Sequence, residues 1–598
     1  MGSNGSFRPV IVGAIECSTF CVDDPIITGV FVKTTRVKRG NGKTYEYLTL
    51  VEAVREGGKV GHRVLFRLGE AEALRRTGEL ERIVAALQSH CDTEVVAAQE
   101  LVAEDAPAAG AVAAVWAQWR RLGLDVWFAK VGAERGADVL EHAVFAMVAN
   151  RLVAPTSKRR LPEWVADDVV PPAGFEAPSL EQYYRALDAV ADAKEATETE
   201  LYSSLCDLTN LDLRLVCYDL TSTYFESDGR PSARFPSRAF GYSRDHRSDR
   251  PQVVIGLLCT GDGIPIAHHV FAGNTADVST LSDVLADLQG RFGVGRICVV
   301  ADRGLISEAN VAVVEGCGFD HVIAVRLHRS PECAEALECS ARPGATWVAV
   351  PEANSAACDV TLADGRRAVV VASFERWERD TLRTAELVVR TEAKLLALER
   401  RVRDGELVDA GKIGRAAQRI LSASPVARLF DVEIAKGRFL YHYDEAAFVY
   451  EDLLAGRYVL VTSLGPHQAS AAQVVMAYRS LLEIERRFRV LKDFLHLRPV
   501  RHWTERRVRA HVAVCVYATV IEALVARALR AADVRDPDVA GQFLSPERAL
   551  RELGRIRAVT LTAGDRTIDV VTRRSGLQSR ILAALGVDTA GWERARIT

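Results

Sequence analysis

Residues 213–226, LRLVCYDLTSTYFE, and residues 252–273, QVVIGLLCTGDGIPIAHHVFAG, decide the fold of this 598-residue chain. The first stretch predicts a buried strand, and the second predicts a β-hairpin that turns at TGDG. Working outward, the pattern predicts a helix over 277–292, a buried strand over 296–302, a helix over 307–317 and a strand over 320–326. Three strands, a helix, a strand, a helix and a strand predict a mixed α/β sheet whose later strands need right-handed crossovers.

The composition is that of an ordinary soluble globular protein, with 48% hydrophobic and 26% charged residues. No apolar run approaches the roughly 18 residues that a membrane span requires, so we expect no membrane partner. The twelve cysteines include no Cys-x-x-Cys pair, which favours a reducing cytoplasm over a zinc ribbon. The polar start, MGSNGSFRP, is typical of a flexible leader.

The distribution of charge is more informative than its sum, because the net charge is only −3. Basic residues cluster at 33–43, 157–160, 486–492 and 498–511. One such cluster is usually a solvated face. Four clusters favour a phosphate-rich partner.

Two aspartates follow apolar strands. Asp219 stands within VCYDLTSTYFE, and Asp302 comes directly after ICVVA. Catalytic groups in α/β sheets tend to lie at the carboxyl ends of strands. Either aspartate alone is also compatible with a turn or a helix cap.

A third acid comes from YRSLLEIERRFRVLK, residues 478–492. On a helix that turns about 100° per residue, one apolar stripe is formed by Val474, Tyr478, Leu481, Leu482, Phe488 and Leu495. Glu485 and Lys492 fall near its centre, whereas Glu483 points the opposite way. A carboxylate that faces a core needs a cation, a metal or several donors. A purely structural ion pair of Glu485 with Lys492 or Arg489 remains an alternative.

Three acids brought together would raise one another's pKa unless positive charge lies among them. Mg²⁺ supplies such charge, since it binds through one or two carboxylates plus phosphate oxygens and waters. Two such ions about 3.5–4 Å apart clamp both oxygens of an in-line phosphoryl displacement. Asp219, Asp302 and Glu485 are therefore candidate metal ligands, and we expect Glu485 to face inward.

These motifs resemble those of bacterial insertion-sequence transposases of the DDE type, whose catalytic domain has a ribonuclease-H-like sheet. YDLTSTYFE is similar to the first-aspartate strand of that family, ADRG to the second, and AGNTADVST (272–280) to its Gly-Asn-Thr segment. Tyr478, Glu485 and Lys492 match the spacing of the family's Tyr-x2-Arg-x3-Glu-x6-Lys signature. Leu481 occupies the arginine position, a departure from the pattern.

The resemblance implies that Asp219, Asp302 and Glu485 are catalytic and hold two Mg²⁺ or Mn²⁺ ions. The implied reaction is DNA cleavage at the terminal inverted repeats of an insertion sequence, followed by transfer of the freed 3′-hydroxyl into target DNA. The enzyme would be a nuclease and strand transferase that works by two-metal phosphoryl transfer.

The same resemblance implies that Tyr478, Arg489 and Lys492 bind DNA. Arg479, Arg486 and Arg489 are the candidates to replace the missing signature arginine. The implied partners are the terminal repeats, the target DNA and a second copy of the chain in the DNA complex. We expect a cytoplasmic protein that is nucleoid-associated when bound to DNA.

The expected fold class is α/β, a ribonuclease-H-like mixed sheet flanked by helices and interrupted by a β-rich and helical insertion, with an N-terminal β module and a helical domain. The expected segments are an N-terminal β-rich module (1–70), a helical region that binds DNA ends (71–205), the first part of the catalytic domain (206–330), the insertion subdomain (331–465), the second part of the catalytic domain (466–530) and a C-terminal helical segment (531–598).

Two other functions remain open. A stand-alone metal-dependent DNA nuclease would use the same three acids without joining strands, but it would not need about 200 N-terminal residues for end binding. A catalytically idle DNA-binding derivative would not need three intact acids. A glycosidase with a carboxylate pair has no use for a third acid or for the basic clusters.

Overall fold

The structure is a computed structural model. It describes residues 30–40, 42–56, 59–88, 90, 102–209, 214–226, 235–292, 297–301, 308–325, 330–563, 566–590, 592 and 596–597. Asp302, one of the three predicted catalytic acids, lies outside the described residues.

The described part of the chain contains strands throughout. They are β1 Val30–Lys38, β2 Thr44–Glu56, β3 Lys59–Glu70, β4 Val102–Asp105, β5 Leu215–Tyr224, β6 Gln252–Thr260, β7 Pro265–Ala272, β8 Cys298–Ala301, β9 Asp320–Ala324, β10 Trp347–Val350, β11 Ser355–Thr361, β12 Arg367–Ala372, β13 Phe430–Ala435, β14 Arg438–Tyr443, β15 Arg457–Thr462, β16 Ala558–Ala563, β17 Arg566–Val571 and β18 Arg596–Ile597.

The described part of the chain also contains helices. They are α1 Ala71–Thr77, α2 Glu79–Gln88, α3 Gly110–Arg121, α4 Leu124–Glu134, α5 Leu140–Val153, α6 Leu161–Glu163, α7 Leu180–Asp192, α8 Lys194–Thr209, α9 Leu281–Phe292, α10 Glu308–Gly316, α11 Pro331–Ala341, α12 Phe374–Arg403, α13 Ala410–Ser422, α14 Glu445–Leu454, α15 Ala471–Arg479, α16 Leu481–Arg489, α17 Glu505–Ala531, α18 Pro546–Leu553 and α19 Gly576–Ala584.

The chain divides into two compact units. The first contains residues 1–107, 557–573 and 589–598, and the second contains residues 108–556 and 574–588. Within the first unit, β1, β2 and β3 form an antiparallel sheet, as the alternating pattern of the N-terminal module predicts. A second sheet has the order β18-β17-β16-β4.

The second sheet adds strands to the segment that was expected to be helical, residues 531–598. β16 and β17 pair antiparallel, with Ala563 opposite Arg566. The sequence AVTLTAGDRTIDVV (558–571) carries the signal for this pairing, since it alternates around a Gly-Asp dipeptide. This strand signal is short and lies between stretches with a helical pattern, so the segment as a whole was predicted to be helical.

The second unit is built on a nine-stranded sheet with the order β10-β11-β12-β15-β9-β8-β5-β6-β7. β5, β6 and β7 are antiparallel neighbours, while β8 lies parallel to β5 and β9 parallel to β8. α9 connects β7 to β8 and α10 connects β8 to β9, as parallel strands require. This part of the sheet has the ribonuclease-H-like arrangement, and the predicted fold class is confirmed.

The alternation of side chains along β5 separates its two faces. Val216, Tyr218 and Leu220 pack in the core that includes α9. Tyr218 donates a hydrogen bond from its hydroxyl to Oγ1 of Thr280 at 3.0 Å. Because successive strand residues point to opposite faces, Asp219 projects from the face opposite that core.

The insertion is not one separate subdomain, which corrects the expected boundary at 331–465. β15 pairs with β9, and β12 pairs with β15, so β10–β12 and β15 extend the main sheet. α12, α13 and the β13–β14 hairpin have their own core, which includes Leu395, Ile413 and Phe430. The sequence predicts short strands here, but a strand pattern does not specify which sheet edge a strand joins.

α17 is a largely buried helix, as predicted. By length and composition it is apolar enough to cross a membrane, which corrects the expectation that no such run exists. Of its most apolar 18-residue window, 89% is buried inside the protein, where the helix packs against α5 and α7. Burial of this kind is typical of a helix in a protein core.

The Gly-Asn-Thr segment has a steric role at the end of β7. A Cβ on Gly273 would collide with the carbonyl oxygens of Gln252 and Ala239. We therefore expect Gly273→Ala to lower the free energy of unfolding by about 2 kcal/mol or more, through overpacking. Urea unfolding measures this change.

Gly290 in α9 is the matched control for Gly273, because a Cβ there meets no atom within 4 Å. Gly290→Ala should leave the protein as stable or stabilise it by up to about 1 kcal/mol, through helix propensity. Equal effects of the two substitutions would contradict the steric role of Gly273.

Candidate active site

Asp219 lies in the middle of β5, between β6 and β8 in the sheet. One of its carboxylate oxygens accepts a hydrogen bond from the backbone N–H of Leu220 at 2.7 Å. The side chain is half-buried, whereas its neighbours along the strand are buried. The carboxylate therefore opens toward a cavity on its face of the sheet.

Glu485 lies on α16, which packs against β5. The buried face of α16 consists of Leu481, Ile484, Phe488 and Arg487, so Glu485 does not face the core as the helical projection predicts. It is exposed and lines the same cavity as Asp219.

The projection was wrong because it ran through two separate helices and omitted Ile484, which with Leu481 and Phe488 sets the buried face of α16. α15 ends at Arg479, α16 begins at Leu481, and a π-helical turn follows over Val490–Phe494. A π turn holds more residues than an α turn, so it changes the face of the residues after it and does not affect Glu485. Ile484 and Leu491, which the projected stripe omitted, are fully buried.

The cavity shared by Asp219 and Glu485 has a volume of about 540 Å³. Two further carboxylates line it, Glu352 before β11 and Glu375 at the start of α12. Carboxylate oxygens are the ligands that Mg²⁺ and Mn²⁺ prefer. Sequence reasoning missed Glu352 and Glu375, because each is separated from Asp219 by more than one element of structure and no local motif marks it.

Cationic and aromatic side chains form another part of the same wall. Arg376 and Arg479 line the cavity together with Tyr458 and Tyr478. The two tyrosine rings are 5.7 Å apart, and the Arg376 guanidinium lies 5.2 Å from the Tyr458 ring. Burial raises the pKa of Tyr458, so its hydroxyl stays protonated at neutral pH. This wall can bind an anionic chain beside the carboxylates.

Of the three predicted catalytic acids, two are in the described part of the structure, and both line one cavity. Asp302 follows Ala301, the last residue of β8, directly in the sequence. Within the described ranges, no group of three or more His, Cys, Asp or Glu side chains is close enough to hold a metal ion.

Lys492 pairs with Asp245 rather than with Glu485, so the Lys492 form of the structural ion pair considered above is not observed. Lys492 Nζ donates to an oxygen of Asp245 at 2.7 Å, and its side chain is 11% exposed. Burial lowers the pKa of Lys492, and the Asp245 carboxylate opposes that shift. Arg498 contacts the same oxygen of Asp245. Lys492 therefore already has a carboxylate partner, and a direct contact with phosphate would have to form beside or in place of that ion pair.

Arg489 and Glu483 lie away from the cavity. Arg489 is exposed and lines a different recess, with Phe494 and Arg551. Glu483, expected to be solvated helix surface, is half-buried instead. It packs against the β6–β7 turn, where a Cβ on Gly263 would lie 2.7 Å from the Glu483 Cβ.

Sequence comparison assigns the family. A family model described as "Transposase DDE domain" matches residues 212–521, which is more than half of the chain. The chain belongs to the DDE transposases. A second model, described as "IS1634 family transposase, N-terminal domain", matches residues 32–100. Asp219, Asp302 and Glu485 all fall within the range that matches the DDE domain, and the resemblance to insertion-sequence transposases is confirmed.

Solved transposase structures are only distantly similar to this transposase. A piggyBac transposase synaptic complex with hairpin DNA shares 10% identity over 70% of each chain, with a TM-score of 0.32. A Mos1 transposase paired-end complex with the left transposon end shares 15% identity over 28% of this chain and 53% of that one, with a TM-score of 0.14. No curated protein matches the sequence.

Proposed function

We propose that this transposase cleaves DNA at the ends of an insertion sequence and transfers the freed 3′-hydroxyl into target DNA. The observation that carries the proposal is that Asp219 and Glu485, far apart in sequence, line one cavity within the region that matches the transposase DDE domain. Asp302 is proposed as the third acid of this site.

The strand register supports the choice of Asp302. β5 and β8 are parallel, and Cys217 pairs with Val300. Asp219 and Asp302 each come two residues after that pair in the sequence. This equal offset in sequence from one paired position favours Asp302 as the acid that acts with Asp219.

The residues present fit a divalent cation. Asp219, Asp302 and Glu485 offer only carboxylate oxygens, the donor type that Mg²⁺ or Mn²⁺ requires, and we propose that they hold two such ions. When bound, the ions would activate the attacking hydroxyl group and stabilise the leaving oxygen. Asp219 and Glu485 would hold the ions between β5 and α16.

We propose that Tyr478, Arg376 and Arg479 orient the DNA backbone at this site, because they line the cavity that holds the acids. Lys492 and Arg498, which both contact the Asp245 carboxylate, would bind phosphate groups beside this cavity. Phosphate contacts of this kind position a strand without reading its sequence. Arg489, which lies on another surface, would contact DNA outside the cavity.

A cleavage assay tests the proposed function. The substrate is duplex DNA that carries the inverted repeats flanking the gene, incubated with Mg²⁺, Ca²⁺ or EDTA. We expect nicking and joining with Mg²⁺, and binding without cleavage with Ca²⁺ or EDTA. Cleavage without joining would instead support the stand-alone nuclease, and binding without any cleavage would support the idle derivative.

We also propose that the active form is a dimer assembled on DNA, in the cytoplasm and at the nucleoid. Both transposon ends have to be bound in one complex, and a two-fold symmetric dimer is the simplest assembly that offers two equivalent binding sites. Light scattering on the protein with and without end DNA should show a complex that contains two chains. A complex with one chain per DNA molecule would contradict the dimer.

A further inference from the structure

A second cavity in the same unit is strongly cationic. It has a volume of about 330 Å³ and is lined by Arg151, Lys158, Arg159, Arg498 and Arg501, together with three histidines. None of the described residues that line it is an aspartate or a glutamate. We call this cavity the basic pocket. Its floor is formed by the buried side chains of Arg151 and Lys158, and its mouth by the exposed side chains of Arg159 and Arg501.

The floor of the basic pocket holds buried cations without a carboxylate partner. Lys158 is 4% exposed, and within the described chain its Nζ has no hydrogen-bond partner. Arg151 is 5% exposed and donates only to backbone carbonyls, those of Leu495 at 3.3 Å, His496 at 3.2 Å and Thr156. An unpaired buried ammonium is costly, so such groups are normally paired in folded proteins.

Burial and neighbouring positive charge lower the pKa values of Lys158 and of two histidines in the pocket. Burial, and then the Arg151 charge, hold the pKa of Lys158 well below its usual value. Burial, and then Lys158, lower the pKa of His502 to about 4 and that of His511 well below its usual value. An anion in the cavity would reverse these effects, because it would stabilise the protonated forms.

The mouth of the basic pocket gives access to the floor from solvent. Arg159 and Arg501 are exposed there. Arg498 contacts Asp245, which also binds Lys492 of the family signature. The Asp245 carboxylate therefore links Arg498 of the basic pocket to Lys492, which lies just after the helix that carries Glu485.

We propose that the basic pocket binds a phosphate group of the DNA on which this transposase acts, with Lys158 as the charge at its floor. Guanidinium groups at the mouth suit phosphate, because their planar fork matches two phosphate oxygens. The inference rests on the proposed function in that DNA is the substrate. The phosphate comes either from a backbone phosphodiester or from a terminal phosphomonoester.

Lys158→Met tests the floor of the pocket, since it keeps the side-chain length and removes the charge. Thermal unfolding is followed with inorganic phosphate or with chloride at matched ionic strength. We expect phosphate to raise the midpoint of the wild type more than that of Lys158→Met. Lys412→Met, at an exposed lysine of α13, controls for the general stabilisation that phosphate gives by exclusion from protein surfaces. Equal phosphate effects in all three proteins would overturn the proposal.

DNA binding, measured in EDTA so that no cleavage occurs, identifies the source of the phosphate. The probes are duplexes of one sequence with and without a 5′-phosphate. We expect Lys158→Met to bind about 10-fold more weakly and to lower the slope of log affinity against log salt by about one. A loss on both duplexes assigns a backbone phosphate, and a loss on the phosphorylated duplex alone assigns a terminal one.

Arg501→Gln, at the exposed mouth, provides a second variant should Lys158→Met fold poorly, and it should show the same loss to a smaller extent. Arg160→Gln is its control, because Arg160 is exposed, pairs with Glu163 and does not line the pocket. Wild-type affinity in both pocket variants would overturn the proposal. Binding without Mg²⁺-dependent cleavage would count against the proposed function and leave this inference standing.

Discussion

Asp219→Asn and Glu485→Gln are each expected to reduce Mg²⁺-dependent DNA cleavage by about 10³-fold or more, since a metal site contributes several kcal/mol of transition-state stabilisation. Each substitution removes one charged oxygen ligand and keeps the shape of the side chain. DNA binding in EDTA should stay within about twofold of wild type, because the basic surfaces remain. Cleavage and binding are measured on the same end-repeat duplex.

Glu483→Gln is the matched control for Glu485→Gln. Glu483 lies on the same helix, is two residues away and packs against the β6–β7 turn rather than lining the cavity. The Glu483→Gln protein should cleave DNA at a rate within a fewfold of wild type. Binding of Mn²⁺, followed by its electron paramagnetic resonance signal, adds a readout that does not depend on activity. Wild-type cleavage and Mn²⁺ binding by Glu485→Gln would exclude Glu485 as a ligand.

Arg487→Met is expected to lower the free energy of unfolding at pH 7 by about 3–5 kcal/mol, the usual cost of breaking a buried ion pair. Arg487 on α16 and Glu522 on α17 form such a pair, and both are 2% exposed. Removal of the cation leaves the Glu522 carboxylate buried and unpaired. Urea unfolding measures the loss.

The pH dependence identifies the cause. Burial already raises the pKa of Glu522 above its usual value of 4.5, against the attraction of Arg487. A carboxyl group whose folded pKa is raised destabilises the fold increasingly as the pH rises above its unfolded pKa. The defect of Arg487→Met should therefore shrink as the pH falls from 7 toward 4.5.

Two further variants complete this test. The double variant Arg487→Met/Glu522→Leu should regain most of the lost stability, since apolar residues of similar volume often replace a buried pair at little cost. Arg489→Met, at an exposed position of the same helix, should change stability by less than about 0.5 kcal/mol. A double variant as unstable as Arg487→Met would show that packing, rather than the unpaired charge, causes the loss.

Much of the catalytic core was predictable because its signals are local. The apolar run of β5, the TGDG hairpin and the order of the following helices and strands all appear in the structure. The sequence did not predict which face of the helix that carries Glu485 is buried. A break at Ser480 separates α15 from α16, so a projection that runs through both helices gives the wrong buried face, and the break has no reliable local signature.

The sequence by itself determined the family and the succession of strands and helices along the catalytic core, because both depend on residue patterns within short windows of the chain. Only the tertiary structure decided that Asp219 and Glu485 open into one cavity and that Lys492 binds Asp245. It also decided that Lys158 lies buried with no carboxylate partner among the described residues. Each of these depends on which distant segments pack together. The partner of a charged side chain is set by that packing, because the attraction acts through space and requires the two groups to be within a few ångströms.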